Sequence, residues 1–282
     1  MERFRFGLSS MGIQDLTEKD FRDFAECGLK ELELSFSEDR YDTLDWEGIR
    51  RRASAYGIHL WSFHLPFSPF SRINPASFDP QVRRSTISYF ESLMQRAADI
   101  GIGIMVVHPS AEPNREEERE ERMKLAQESL SILCGAARKM GVTLAAENLP
   151  RTCLGRNSQE IRQLLASDDQ LRVCFDTNHL LLQSEKEFIM DIGERIITTH
   201  VSDFDFRDER HWLPGEGRIN WVEWMETMDQ IGYEGPLLYE VAFDAPPSIQ
   251  RRRLTVEDFR ENHGCLVNRL PLHAIGTPAL EN

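Results

Sequence analysis

Seven ionisable residues stand in or at the end of apolar runs: Glu33 in "LKELELSF", His64 in "IHLWSFHLP", His108 in "IGIMVVHPS", Glu147 in "VTLAAENLP", Asp176 in "RVCFDTNH", His200 in "IITTHVSD" and Glu240 in "PLLYEVAF". Burying a carboxylate or imidazole is costly unless it is paired, hydrogen-bonded or bound to a metal. Seven unrelated buried charges gathered on one rim would repel one another or stand unpaired, so they call for a positive centre. Glu147, Asp176, His200 and Glu240 come from four consecutive runs and form an oxygen-rich, nitrogen-containing set with no thiolate. Such a set suits one divalent ion, Mn²⁺, Co²⁺, Mg²⁺ or Zn²⁺, and leaves positions for a substrate or water. A buried salt-bridge network is the other reading of these four. His64 and His108 could hold a second ion, donate to a substrate, or be packed imidazoles with a tautomer fixed by a neighbour. Glu33 is open in the same way.

The elements that must position these residues are visible in the hydrophobic pattern. Eight short β-rich runs, near Phe6, Leu34, Phe63, Val106, Ala145, Phe175, Thr199 and Tyr239, alternate with segments of helical period. Helices are expected over Glu18 to Cys27, Glu47 to Tyr56, Gln81 to Ile100, Glu116 to Met140 and Ser158 to Ala166, with Thr17 and Ser158 as N-caps. Glycines in "CGLK", "YGIH", "MGVT" and "IGYEG" supply the stops. Eight strand–helix units predict an α/β protein, a (β/α)8 barrel, whose chemistry sits at the C-terminal ends of its strands. A doubly wound sheet would usually need fewer strands and a phosphate fingerprint, and neither G-x-G-x-x-G nor a Walker sequence occurs. With 282 residues and 40% hydrophobic content, one domain is expected over residues 1–270, followed by a tail over residues 271–282 that is ordered only if it docks. The long insertion from Pro66 to Pro80 is a candidate lid. The run "NREEEREERMK" reads as an exposed helix start, its charges suited to the N-terminal dipole end.

The balance of 47 acidic against 33 basic residues, formally −14, disfavours a phosphate-backbone partner. No apolar stretch is long enough to span a bilayer or form a secretory leader, so a membrane role is not expected. Five widely spaced cysteines with no C-x-x-C pair point to reduced thiols in a cytoplasm.

The motifs "LELSF", "SFHLPF", "VVHPS", "AAENLP", "CFDTNH", "THVSDFD", "HWLPGEGRINW" and "LLYEV" occur in this order from Glu31 to Val241. In this the chain resembles the xylose-isomerase-like barrel superfamily, in particular its sugar phosphate isomerase/epimerase branch, with ketose 3-epimerases and inosose dehydratases, and more distantly endonuclease IV. The resemblance implies that Glu147, Asp176, His200 and Glu240 hold a catalytic metal and that Glu147 and Glu240 also exchange protons with substrate. It implies that His179, in D-x-x-H, binds a substrate hydroxyl, and it brings Arg207 in as an approximate match to a substrate-binding arginine. His64 and His108 match histidines that bind additional zinc in the endonuclease branch. The D-x-H of that branch is missing from "HVSDFDFRDERHW".

The expected activity is metal-dependent isomerisation or epimerisation of a sugar or sugar phosphate: a glutamate removes the proton beside a carbonyl, giving an enediolate, and the proton returns to the other face or the neighbouring carbon. Loss of a β-hydroxyl would give dehydration instead. The rivals are phosphodiester hydrolysis at abasic DNA and a non-catalytic sugar-binding barrel. Arg156, Arg207 and Arg218 are candidate phosphate contacts, Glu33, His64, His108 and His179 candidate substrate contacts, and a homo-oligomer remains open.

Overall fold

The computed structural model describes residues 3–279. Eight parallel strands, β1 Phe6–Ser9, β2 Glu31–Leu34, β3 His59–His64, β4 Ile104–Val107, β5 Thr143–Glu147, β6 Arg172–Asp176, β7 Ile196–His200 and β8 Leu237–Tyr239, each pair with their neighbours in chain order. The ring runs β7-β6-β5-β4-β3-β2-β1-β8. It is drawn shut just past β7, where the Val201 N–H donates to Leu238 O at 2.8 Å and the Glu240 N–H donates to Val201 O at 3.2 Å. This is a single (β/α)8 barrel, as the alternating pattern predicts.

Helices α1 Glu18–Glu26, α2 Trp46–Ala55, α3 Pro80–Asp99, α4 Arg119–Met140, α5 Ser158–Leu165, α6 Glu185–Ile192, α7 Trp221–Gln230 and α8 Val256–Val267 follow the strands. Thr17 caps α1 in a reciprocal capping box with Asp20. The cap of α5 is Asn157 rather than Ser158: the extended Asn157 offers Oδ1 to the Glu160 N–H at 2.9 Å, and the Ser158 hydroxyl instead donates to Asp191 Oδ2 at 2.6 Å. The acidic run opens as a 3₁₀ turn over Glu116–Glu118, and the α-helix begins only at Arg119, whose guanidinium lies 2.7 Å from Glu160.

Because strand side chains alternate, residues two apart share a face. Outward-facing Phe175 of β6 stacks on Phe188 of α6 with centroids 5.0 Å apart, part of the apolar layer between sheet and helices. The inward set places Ala145 and Cys174, packed with Val106 in a small apolar plug, two residues before Glu147 and Asp176. The same barrel face that is filled with apolar side chains lower down therefore carries charge at its upper end.

Part of the C-terminal tail docks. Thr277–Pro278 pairs antiparallel with Ile249–Gln250, and the Gly276 N–H donates to the buried Glu216 Oε1 at 2.8 Å. Residues 280–282 lie outside the described residues. Among the described residues no helix is long and apolar enough to cross a membrane.

Candidate active site

Strands β3, β5, β6 and β7 terminate on His64, Glu147, Asp176 and His200, while His108 and Glu240 follow β4 and β8 by one residue. The barrel brings one ligand atom each of Glu147, Asp176, His200 and Glu240 within 4.8 Å of one another, all four buried. Nδ1 of His200 is the hub, 3.1 Å from Glu147 Oε1, 3.4 Å from Glu240 Oε2 and 3.8 Å from Asp176 Oδ2. The other Glu147 oxygen meets Nε2 of both His64 and His108 at 3.1 Å. Asp176 Oδ1 accepts the Asn178 N–H at 2.6 Å, whereas its buried Oδ2 has no hydrogen-bond partner.

These residues fit a divalent cation. An orphaned buried carboxylate oxygen beside two further carboxylates and an imidazole is the kind of group that stays costly until a cation meets it. Without an ion the same groups set one another's protonation. Burial works against the charged imidazole of His200, yet the surrounding thiol and carboxyl groups, Cys174 and Glu240 foremost, lift its pKa well above the ordinary histidine value. Burial likewise favours the neutral Glu147 carboxyl, but His200 and His108 outweigh it and hold the group well below the usual carboxylate range. For Glu240 burial prevails, and its pKa is pushed up to about 7 against the pull of His200 and His211. Two carboxylates touching the same ring nitrogen are thus driven apart in proton affinity.

A second group that sequence reasoning missed lies alongside. His179, Glu209 and His211 also place ligand atoms within 4.8 Å of one another. Glu209 Oε1 lies 2.9 Å from His211 Nε2 and 3.6 Å from His179 Nε2, and the latter nitrogen is buried with no hydrogen-bond partner. His179 Nδ1 is held at 2.9 Å by Asn148 O, and His211 Nδ1 at 3.0 Å by Glu240 O. The signal was present: "ERH", Glu209 to His211, has the alternation of D-x-H with a carboxylate one methylene longer. His179 therefore faces both groups, 3.5 Å from Glu147 Oε1 and 3.7 Å from Asp176 Oδ2 on its other nitrogen.

A cavity of about 680 Å³ opens above these groups. His64, His108, His179, His211, Glu147, Glu209 and Glu240 line it, with Phe67, Ser68 and Phe70 contributed by the long insertion after β3. Phe67 stacks on the His108 ring with centroids 4.6 Å apart. Two expected substrate contacts are placed elsewhere. Glu33 is fully buried outside the cavity lining, accepting from Ser62 Oγ at 2.7 Å and Ser9 Oγ at 3.2 Å and lying 3.1 Å from His200 Nε2, so it braces that imidazole from behind. Arg207 is exposed and outside the lining, because the chain turns at Asp205, whose Oδ1 accepts the Arg207 N–H at 3.0 Å. Arg156, at 2.6 Å from Glu116, and the exposed Arg218 are also absent from the lining; the arginines found there are Arg40 and Arg151.

A closed parallel barrel with a metal-capable carboxylate–imidazole cluster at its C-terminal mouth defines the class of protein. Residues 21–260 match the family model described as xylose isomerase-like TIM barrel, and the chain belongs to that family. The uncharacterized protein MJ1311 of Methanocaldococcus jannaschii is 30% identical over 182 residues, 61% of this chain and 62% of that protein. The probable endonuclease 4 of Thermoplasma acidophilum is 27% identical over 58% of this chain and 61% of its own. The chain thus spans less than two thirds of the length of either relative. A solved D-tagatose 3-epimerase-like protein superposes with TM-score 0.78 at 23% identity, covering 94% of this chain and 99% of that one. Further solved structures of this fold are ketose 3-epimerases.

Proposed function

We propose that this chain is a divalent-metal-dependent sugar epimerase or isomerase that moves a proton beside a carbonyl. The observation that carries the reading is the convergence of Glu147, Asp176, His200 and Glu240, one ligand atom each within 4.8 Å, below a sugar-sized cavity. These four would hold the ion, whose chemistry is Lewis-acid polarisation of a substrate carbonyl and its neighbouring hydroxyl. Glu147, kept ionised, accepts the proton from the carbon beside that carbonyl; Glu240, whose carboxyl is the more easily protonated, returns one. Return to the opposite face inverts the centre, and return to the adjoining carbon shifts the carbonyl. His64, His108, His179 and His211 line the walls, and Nε2 of His179, buried with no hydrogen-bond partner, is the ring nitrogen placed to meet a substrate hydroxyl. The low-identity likeness to ketose 3-epimerases supports a free or phosphorylated ketose as the substrate class.

The test is incorporation of solvent deuterium into a panel of ketoses and ketose phosphates, with and without a chelator. Exchange that depends on added Mn²⁺, Co²⁺, Mg²⁺ or Zn²⁺ is the expected result. A ketose that binds without exchanging in the presence of metal would leave a sugar-binding barrel and sink the enzyme reading.

One observation favours a second reading, metal-dependent cleavage of abasic DNA: His179–Glu209–His211 and His64–Glu147–His200 are further metal-capable groups, and a probable endonuclease 4 is among the relatives. Charge opposes it. Both arginines of the lining are already ion-paired, Arg40 with Asp15 and Arg151 with Glu112, Asp208 and Glu209, in a chain of formal charge −14. Metal-dependent nicking of an abasic duplex without sugar turnover would establish this second reading in place of the first.

A further inference from the structure

Arg151 meets three strand-end loops at once. Its own loop follows β5; its guanidinium lies 2.6 Å from Glu112 in the loop after β4 and 2.9 Å from both Asp208 and Glu209 in the loop after β7. Its backbone sits at φ 51, in the left-handed region that side-chain-bearing residues rarely occupy. His211 shares that conformation, also at φ 51. Two non-glycine residues held there on facing loops mark a rim whose contacts over-determine the backbone.

The contacts continue inward. Glu209 gives Oε2 to Arg151 at 2.9 Å and Oε1 to His211 Nε2 at 2.9 Å, and His211 Nδ1 lies 3.0 Å from the main-chain oxygen of Glu240. The line Arg151, Glu209, His211, Glu240 therefore runs from the half-exposed rim to one of the two carboxylates assigned to proton transfer. The two imidazoles meet only Oε1 of Glu209, and Arg151 is what holds its second oxygen, Oε2, on the rim side.

We infer that Arg151 is a positioning residue: by joining the loops after β4, β5 and β7 it holds Glu209 against His211 and His179 and so sets the cavity wall beside Glu240. Its planar fork suits this task, because several carboxylates can be met in a fixed geometry that a lysine cannot reproduce. An arginine serving instead as the receptor for a substrate phosphate would present an unpaired edge to the cavity, whereas this one spends its donors on three carboxylates.

The inference rests on the proposed reaction for its activity arm alone, so the test has a second arm. Proton–nitrogen spectra of the histidine rings are recorded for the wild type, R151M, R151K, E209Q and R151M/E209Q, with thermal unfolding to confirm that each is folded. R151M is expected to shift the His211 ring resonances in the same sense as E209Q, the double variant to match E209Q alone, and R151K to recover part of the shift. In the exchange assay R151M should lower kcat by about tenfold or more with a smaller change in KM, the range found when groups that orient a reactive side chain are removed. Unmoved His211 resonances in folded R151M, or shifts that add in the double variant, overturn the positioning role. So does a rise in KM confined to phosphorylated ketoses, which would make Arg151 a phosphate contact. If no ketose exchanges in the wild type, the proposed reaction fails while the ring spectra still decide the role of Arg151.

Discussion

Replacing Asp176 with asparagine separates what the site needs without an ion from what it needs with one. Asparagine keeps an oxygen for the Asn178 N–H at 2.6 Å and removes the charge from a buried Oδ2 that has no hydrogen-bond partner. His179 and His200 lose a carboxylate at 3.7 and 3.8 Å, beyond hydrogen-bond length. These effects oppose each other, so the ion-free proteins should differ by no more than about 1–2 kcal/mol. With metal the two diverge. At an ion concentration 100 times the wild-type dissociation constant, binding adds about 2.7 kcal/mol of stability. Losing a direct ligand should weaken affinity by at least the roughly 100-fold seen when groups supporting ligands are removed. At the same ion concentration D176N then gains only about 0.4 kcal/mol. For a chain of this size that is a rise in Tm of about 5 °C in the wild type against about 1 °C in the variant. Scanning calorimetry of chelator-treated protein, repeated across a Mn²⁺ or Zn²⁺ titration, reads both numbers. A metal-induced rise in D176N equal to that of the wild type would show that Asp176 is not a ligand and refute the reasoning.

Three further outcomes follow from the same geometry. E240Q should slow deuterium exchange by about 10²–10⁴-fold, the usual worth of a general acid or base, and retention of full exchange would remove Glu240 from the chemistry. In chelated protein the His211 and His179 pKa values, pulled down by burial but raised overall to about 9 and about 10, chiefly by Glu209 for His211 and by Asp176 and Glu209 for His179, tie stability to pH. Folding favours their protonated forms, so their contribution is complete below an unfolded-state value of about 6.5 and is lost as pH climbs through about 9–10. Tm should therefore fall over that range in wild type and fall less in H211Q; an identical fall in both would contradict it. G217A would place a Cβ 2.2 Å from Asp203 Oδ1 and 2.4 Å from Phe204 O, where Asp203 already accepts from Trp221 Nε1 at 2.9 Å and the Gly215 N–H at 2.8 Å. We expect a loss of about 2 kcal/mol or more in denaturant unfolding, and an unchanged midpoint would mean that the loop gives way freely.

The barrel was legible because strand and helix periods repeat and because polar residues interrupt apolar runs at equivalent places, His64, Glu147, Asp176 and His200 being the last residues of their strands. Caps were legible where one residue alone could serve, as at Thr17, and ambiguous where Asn157 and Ser158 stood side by side. What escaped lies in the loops. Nothing periodic tells that the chain after β7 turns so that Arg207 faces out while Glu209 and His211 face the cavity; a left-handed His211 and an Asp205 turn decide it. Glu33 was visible as a buried charge, but its neighbour was not, because the position of His200, from a strand elsewhere in the ring, decides what that carboxylate meets.

Glu33 belongs to β2, its hydroxyl donors Ser9 and Ser62 to β1 and β3, and the imidazole that it braces to β7. The connection passes through the barrel interior and bypasses the ladder of strand pairs. Any ion that tightens on His200 therefore pulls on the first three strands as directly as on its neighbours β6 and β8. Amide protection gained on metal binding should consequently rise in β1 to β3 together with β7, so that the earliest part of the chain reports on occupancy of a site built mostly from its second half.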